Sequence, residues 1–419
     1  MPTLTHCRDD FPILQRSVAN GARLAFLDNA ASTQRPRSVI KSITDCYENY
    51  YANVHRGIHT LSEESTERYE RSRKSVAKFI NAQHDHEVIF TAGATAAINT
   101  VAQTWGKQNL RSDDTVLLTI AEHHANIVPW QQLAAEVGFK IEFLPLQDDY
   151  RIETEAVRAA LKKWQPKLFA FTAASNVLGT TSPVAQWAAL AHEEGSTVLV
   201  DAAQSAPHQP LDVQSWDADF IVFSGHKVCG PTGIGVLHGR EQLLDDMPPF
   251  LGGGGMISRV TTEGFEPAAL PDKFEAGTPP ISEAIALEAA VNYISSIGLS
   301  EIEQHEHKLA AHAESGLRQI EGVGVIGPQA GEKTGIVSFV LSHAHAHDVA
   351  HSLSEHGIAV RAGHHCTMPL HRALGIAATT RASFYLYNTL EEADLLIQAV
   401  TKIQQKFAPT GRRRRRSGR

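Results

Sequence analysis

Cysteine is scarce in this chain: four residues in 419, at Cys7, Cys46, Cys229 and Cys366. They lie far apart with no Cys-x-x-Cys pair, which excludes a disulfide framework and a zinc ribbon as organising devices and suits a reducing compartment. Long apolar runs are missing too. Nothing near the start resembles a signal peptide, and no uninterrupted stretch approaches the roughly 20 residues that span a bilayer, so a cytoplasmic protein without membrane contact is expected. Positive charge is in deficit. The formal net charge is −8 even though six arginines crowd Gly411 to Arg419, so the body is more acidic than the whole. An acidic body argues against nucleic acid as a partner of the fold. The tail, 409–419, reads as a solvated, disordered end. Internal repeats and low-complexity linkers are absent elsewhere, and 42% hydrophobic residues suffice for a large core in more than one domain.

What the sequence does contain is a regular alternation. Short apolar, β-branched runs at 115–120, 140–146, 167–173, 196–200 and 220–223 alternate with helical patterns at 128–138, 153–163 and 182–195. This predicts an α/β fold, a mostly parallel sheet covered by helices on both faces, with ligands beyond the carboxyl ends of the strands. Further runs at 335–342, 358–362 and 382–388, with helical patterns at 281–298, 300–320, 347–357 and 391–407, predict a smaller C-terminal α/β unit. The division is expected at 1–290 and 291–408, with the segment 1–25 packed on the smaller unit.

Polar residues collect where the strands of the first unit end: Glu122-His123-His124, Ser175-Asn176, Asp201 with Gln204, and Ser224-Gly225-His226-Lys227. A lysine just past a buried strand, in a glycine-bracketed turn, reads as a placed amine. With an aspartate at the end of a neighbouring strand, it has the two groups that pyridoxal phosphate needs: an amine for its carbonyl and an acid for its pyridine nitrogen. The strand candidate Glu87 to Phe90 feeds a turn of small residues and an alanine-rich helix, and the free N–H groups at such a helix start suit a phosphate.

The motifs VHRGIHTLS (54–62), EHHANIVPWQ (122–131), SNVLG (175–179), DAAQSAPH (201–208), FSGHKVCGPTGIGVL (223–237), LGGGGMI (251–257), FEAGTP (274–279), RAGHHC (361–366) and RASFYLYNT (381–389), in this order and spacing, resemble the SufS-like (group II) cysteine desulfurases of the class V aminotransferases. The resemblance covers nearly the whole chain and implies a fold type I pyridoxal phosphate enzyme. It implies that Lys227 holds the cofactor and moves protons, that Asp201 faces the pyridine nitrogen, that His124 stacks on the ring with Gln204 near the phenolate oxygen, and that Thr95, Ser224 and His226 bind the phosphate. Thr278 would reach across from the other subunit of a homodimer. Arg381 and Asn176 would take the substrate carboxylate, with His55 and Arg361 at the entrance, and no metal is implied. Cys366 would attack the sulfur of L-cysteine, leaving alanine and a persulfide destined for iron–sulfur assembly through a SufE or SufU acceptor, which His347 would meet. His123 is the alternative to His124. Cys229, two residues from Lys227, reads as packing.

In one segment the chain departs from the pattern: the group often has Arg-Gly-Thr-Thr-Glu where Ala92-Gly-Ala-Thr-Ala96 stands, a hydroxyl and two charges fewer. The competing enzyme is a pyridoxal phosphate lyase or aminotransferase for another amino acid, such as selenocysteine, and Cys366 tells against it because only sulfur abstraction needs a thiol. A non-enzymatic scaffold working through the arginine tail is the remaining alternative.

Overall fold

The computed structural model describes residues 4–18, 21–329 and 333–408, so the arginine-rich end lies outside the described residues. The strands in chain order are β1 (Ala25–Phe26), β2 (Val88–Thr91), β3 (Thr115–Thr119), β4 (Lys140–Leu144), β5 (Leu168–Thr172), β6 (Thr197–Asp201), β7 (Phe220–Ser224), β8 (Gly235–Gly239), β9 (Ile257–Val260), β10 (Phe265–Pro267), β11 (Val323–Ile326), β12 (Ile336–Leu341), β13 (Ile358–Ala359), β14 (Arg361–Gly363) and β15 (Thr379–Ser383). Seven of them form one sheet in the order β2-β8-β7-β6-β5-β3-β4, parallel except for β8, which runs antiparallel to both its neighbours.

Side chains leave a strand on alternate faces, so a strand covered on both sides reads as a continuous apolar run. The central strands behave this way. Leu117, Phe169, Phe171, Val198, Val200, Ile221 and Phe223 enter one core, which helices Thr60–Phe79 and Ile281–Ile297 share. Val116, Leu118, Leu168, Ala170, Leu199, Phe220 and Val222 enter the other, beneath helices Ala94–Val101 and Val128–Val137.

A four-stranded antiparallel sheet, β11-β12-β15-β14, carries the C-terminal unit and packs with helices Leu299–Arg318 and Leu390–Phe407 around a third core. The start of the chain is shared. Leu4, Cys7, Phe11 and Leu14 are buried in the first core, whereas Ala25 and Leu27 join the third and β1 pairs with β13. Arg8 reaches the C-terminal unit through Glu392 at 2.8 Å.

Two expected strands differ, and one strand in the large sheet was not expected. The run expected at 358–362 divides at Val360 into β13, which pairs with β1, and β14, which belongs to the four-stranded sheet. The run expected as a strand at 382–388 leaves the sheet after Ser383, because Phe384, Tyr385 and Tyr387 are buried in a packed turn rather than laddered. The antiparallel β8, rich in glycine, carries too weak an apolar signal to be read in advance.

Candidate active site

One cavity lies at the carboxyl ends of the central strands, roofed by the C-terminal unit. The large sheet contributes His123, Asn176, Asp201, Gln204, Ser224, His226 and Lys227, helix Ala94–Val101 contributes Thr95, and the smaller sheet contributes Arg361, Cys366 and Arg381. Ten of the thirteen residues expected for the site therefore line one space, and three do not.

Lys227 ends the short 3-10 turn after β7. Burial disfavours its charged form and lowers its pKa to about 8, although Asp201 opposes the shift. Such an amine is readily deprotonated and nucleophilic. Asp201 ends β6, buried, its Oδ1 accepting from the amide of Ala203 at 2.9 Å. Burial raises its pKa and Lys227 lowers it, so a cationic partner is what stabilises the carboxylate there. Gln204 donates from Nε2 to the carbonyl of Ala30 at 2.6 Å, while its Oε1 is buried with no partner.

Beside Ser224, the first turn of helix Ala94–Val101 offers its opening N–H groups, which no helix satisfies internally. The Ala94 amide donates to Ser224 Oγ at 2.9 Å. Two glycines make this approach: a Cβ on Gly235 would lie 2.5 Å from the Cα of Gly93, and Gly93 itself has φ of 146°. Burial, then the charge on Lys227, lowers the pKa of His226 to about 4, so a neutral imidazole faces the cavity.

Arg361 and Arg381 are direct partners across β14 and β15. Like charges so placed repel. Arg381 is fully buried, and Asp28 offsets part of its charge at 3.2 Å while the Asn176 carbonyl accepts from Nη1 at 2.8 Å. Arg381 Nε remains buried without a partner. Two guanidiniums facing one cavity, with one donor unspent, suit a carboxylate ligand. Asp28 pairs with Arg381 without itself lining the cavity.

Cys366 follows β14 in a loop in which His365 and Cys366 both have left-handed backbone, φ 49° and 58°. The Asn176 amide donates to the His365 carbonyl at 2.7 Å, so Asn176 holds this loop as well as lining the cavity. Cys229, by contrast, is buried in the first core and burial pushes its thiol up to about 12, in keeping with packing.

Three placements differ from expectation. His124 does not line the cavity; His123 does, because the chain turns into a 3-10 helix at His124–Asn126 and carries the second imidazole outward. Burial, then Lys227, lowers the pKa of His123 to about 3. His55 lies away from the entrance. It pairs with Glu70 at 3.0 Å and shares a separate cleft with Arg56, Gly255 and Thr278. Thr278 is likewise absent from this chain's own Lys227 cavity. Among the described residues no group of three or more histidine, cysteine or acidic side chains is arranged to hold a metal, and no helix is long and apolar enough to cross a membrane.

The aminotransferase class-V family matches residues 25–396. The chain is 48% identical over 405 residues to a probable cysteine desulfurase of Streptomyces coelicolor, covering 96% of this chain and 97% of that one. It is 45% identical over 413 residues to a cysteine desulfurase of Haloferax volcanii, covering 96% and 97%. Among solved structures, a cysteine desulfurase from Thermococcus onnurineus superposes with a TM-score of 0.92 at 39% identity, covering 97% of this chain and 99% of that one. The cysteine desulfurase CsdA of Escherichia coli superposes at 0.90 and 36%, covering 97% and 100%. The chain belongs to the cysteine desulfurases of the class V aminotransferase family. Membership brings pyridoxal phosphate as cofactor, and the residues fit it: an amine, a buried carboxylate, and a glutamine oxygen left unpaired toward the same space.

Proposed function

We propose that this cysteine desulfurase is of the SufS-like kind and receives sulfur on Cys366. The observation that carries the reading is that Cys366, the thiol of a short strand-to-helix loop, lines the same cavity as Lys227, Asp201 and Arg381. Lys227 would hold the cofactor and carry a proton from the substrate Cα. Asp201 would keep the pyridine nitrogen protonated, and His123 replaces His124 as the residue against the ring. Ser224, His226 and the start of helix Ala94–Val101, with Thr95, would take the phosphate. Arg381 would bind the carboxylate of L-cysteine, with Arg361 at the exposed mouth. Bound there, the cofactor supplies an electron sink for the bonds at the substrate Cα and Cβ.

The overall step balances without an external oxidant. The Cys366 thiolate bonds to the substrate sulfur as the Cβ–S bond breaks. The electron pair of that bond stays with the substrate, whose Cβ takes a proton, giving alanine and a persulfide on Cys366. An acceptor protein then removes the outer sulfur. We assign the acceptor to the SufE or SufU kind, on the shortness of the loop and on His347, which is exposed at the start of helix Ala346–Glu355 beside Gly363. A homodimer accounts for the second cleft, in which His55 and Thr278 stand ready for a partner's site. Two units, 1–290 and 291–408, remain our proposal, although a break at 290 falls inside helix Ile281–Ile297, whose Ala290, Val291 and Ile294 all pack in the first core.

Brief exposure of the holoenzyme to L-cysteine, followed by mass spectrometry, tests the central claim. Wild type should gain one sulfur at Cys366. Cys366→Ser should gain none there, and alanine release should fall by at least about 10²-fold, since a serine hydroxyl is a poor nucleophile at neutral pH. Sulfur on Cys7, Cys46 or Cys229, or alanine release by the variant at the wild-type rate, would sink the assignment.

A further inference from the structure

His124 lies just outside the cavity, yet two of its groups bond to the loop that carries the thiol. Its backbone N–H donates to the Cys366 carbonyl at 2.8 Å, and its Nε2 accepts from the backbone N–H of Met368 at 3.0 Å. We infer that His124 is a positioning residue for the Cys366 loop, a clasp that grips the main chain on both sides of the thiol.

The loop needs such a grip. His365 and Cys366 are consecutive non-glycine residues in the left-handed region, which persists only where the surroundings over-determine it. The restraints come from named places, among them the His365 ring, whose Nε2 lies 3.0 Å from Thr379 Oγ1, and the Thr367 N–H, which donates to the His364 carbonyl at 2.8 Å. Asn176 holds the His365 carbonyl at 2.7 Å, Thr367 Oγ1 donates to the His364 carbonyl at 2.7 Å, and His124 supplies the two bonds at Cys366 and Met368. Met368 opens helix Met368–Ala373, so its N–H has no partner within that helix and needs one from outside.

The second bond depends on the side chain. Accepting at Nε2 requires a lone pair there, hence a neutral imidazole. Burial first and the neighbouring His364 second lower the pKa of His124, in keeping with that state. The arrangement also explains why two histidines stand in a row after β3. His123 forms the cavity wall while His124 fixes the thiol loop, so adjacent residues set the position of Cys366 relative to the bound substrate. A displacement of about an ångström between reacting groups costs up to about 10²-fold in rate.

The inference rests on Cys366 being the sulfur-accepting thiol, and the test separates the two. In the holoenzyme, His124→Leu removes the acceptor. The L-cysteine concentration that half-saturates the visible spectral change should stay within about twofold of wild type, because substrate binding does not need the clasp. Sulfur appearance on Cys366, followed by rapid quenching and mass spectrometry, should slow by about 10- to 100-fold. His124→Gln puts an amide oxygen near the place of Nε2 and should return the rate to within about threefold. Iodoacetamide labelling of Cys366 without substrate should change with Leu and revert with Gln. Should the Leu variant not fold, His124→Asn, too short to reach Met368, carries the same expectation. Persulfide formation at the wild-type rate in the variant without an acceptor, a Gln variant no better than Leu, or a half-saturation shifted as far as the rate would overturn the clasp. If wild type itself places no sulfur on Cys366, the assignment of the thiol fails, and the labelling comparison alone decides the clasp.

Discussion

Burial, more than any single charge pair, tunes the residues around Lys227. His123, His226 and His365 all have lowered pKa values, each because the protein desolvates the imidazolium, and Lys227 or Arg381 then adds to the effect. These histidines are neutral in the folded protein at pH 7. Their folded pKa values lie below the ordinary value of about 6.5, so as pH falls below that value the unfolded chain takes up protons that the folded chain refuses. Stability is therefore lost as pH falls from about 6.5 toward the folded values. Urea midpoints should be lower at pH 5 than at pH 7, and His123→Gln should narrow the difference; an unchanged gap would mean that His123 does not titrate differently on unfolding. Lys227, Asp201 and Cys366 were legible in the sequence because they stand just past short apolar runs or in a short motif. The choice between His123 and His124 was not. Two identical neighbours are told apart only by the direction of the turn that follows β3. Asp28 was hidden for another reason: its partner Arg381 lies 353 residues away in the chain.

Elements are tied together by one buried carboxylate. Glu275 accepts from Arg73 Nη1 at 2.7 Å and Nη2 at 2.9 Å, from the Phe90 amide at 2.7 Å and from Tyr69 OH at 2.7 Å. It thus joins helix Thr60–Phe79, strand β2 and the segment leading to Thr278. Arg73 is fully buried, so removing it leaves an uncompensated charge. Arg73→Met should destabilise the protein by about 3–5 kcal/mol, and a second change, Glu275→Gln, should recover part of the loss. Denaturant unfolding of the two variants checks this, and additive losses would show that the pair is not coupled. Helix and strand alternation through the large sheet followed from the sequence because both faces of each strand are apolar. The exception within that sheet is β8, where glycine replaces the pattern; in the smaller unit, packed aromatics replace it in the turn at 384–388.

On the scale of the whole molecule, the exposed apolar residues are not scattered at random in the sequence. Tyr51, Ile58 and Leu61 come from one segment and Phe250, Leu251, Val260 and Phe265 from another, and both segments border the cleft of His55 and Thr278. Ile58 is 97% exposed. If the proposed homodimer covers this face, Ile58→Asp should shift the protein toward monomer in sedimentation velocity and reduce cofactor retention, because Thr278 would leave the partner's phosphate. A variant that sediments as wild type would move the interface elsewhere. The smaller unit was legible from its own set of strand and helix runs beyond 281; the sharing of residues between Leu4 and Leu27 by two cores was not, since it depends on contacts with the far end of the chain. Strand β8 carries a last consequence. It is inserted between β2 and β7, with Gly235 opposite both Thr91 and Ser224. Chain emerging from a ribosome up to residue 230 would hold every expected phosphate ligand of its own subunit, yet β2 and β7 would lack the strand that spaces them. Cofactor capture must then wait for β8, which makes pyridoxal phosphate a marker of a completed sheet rather than a template for building it.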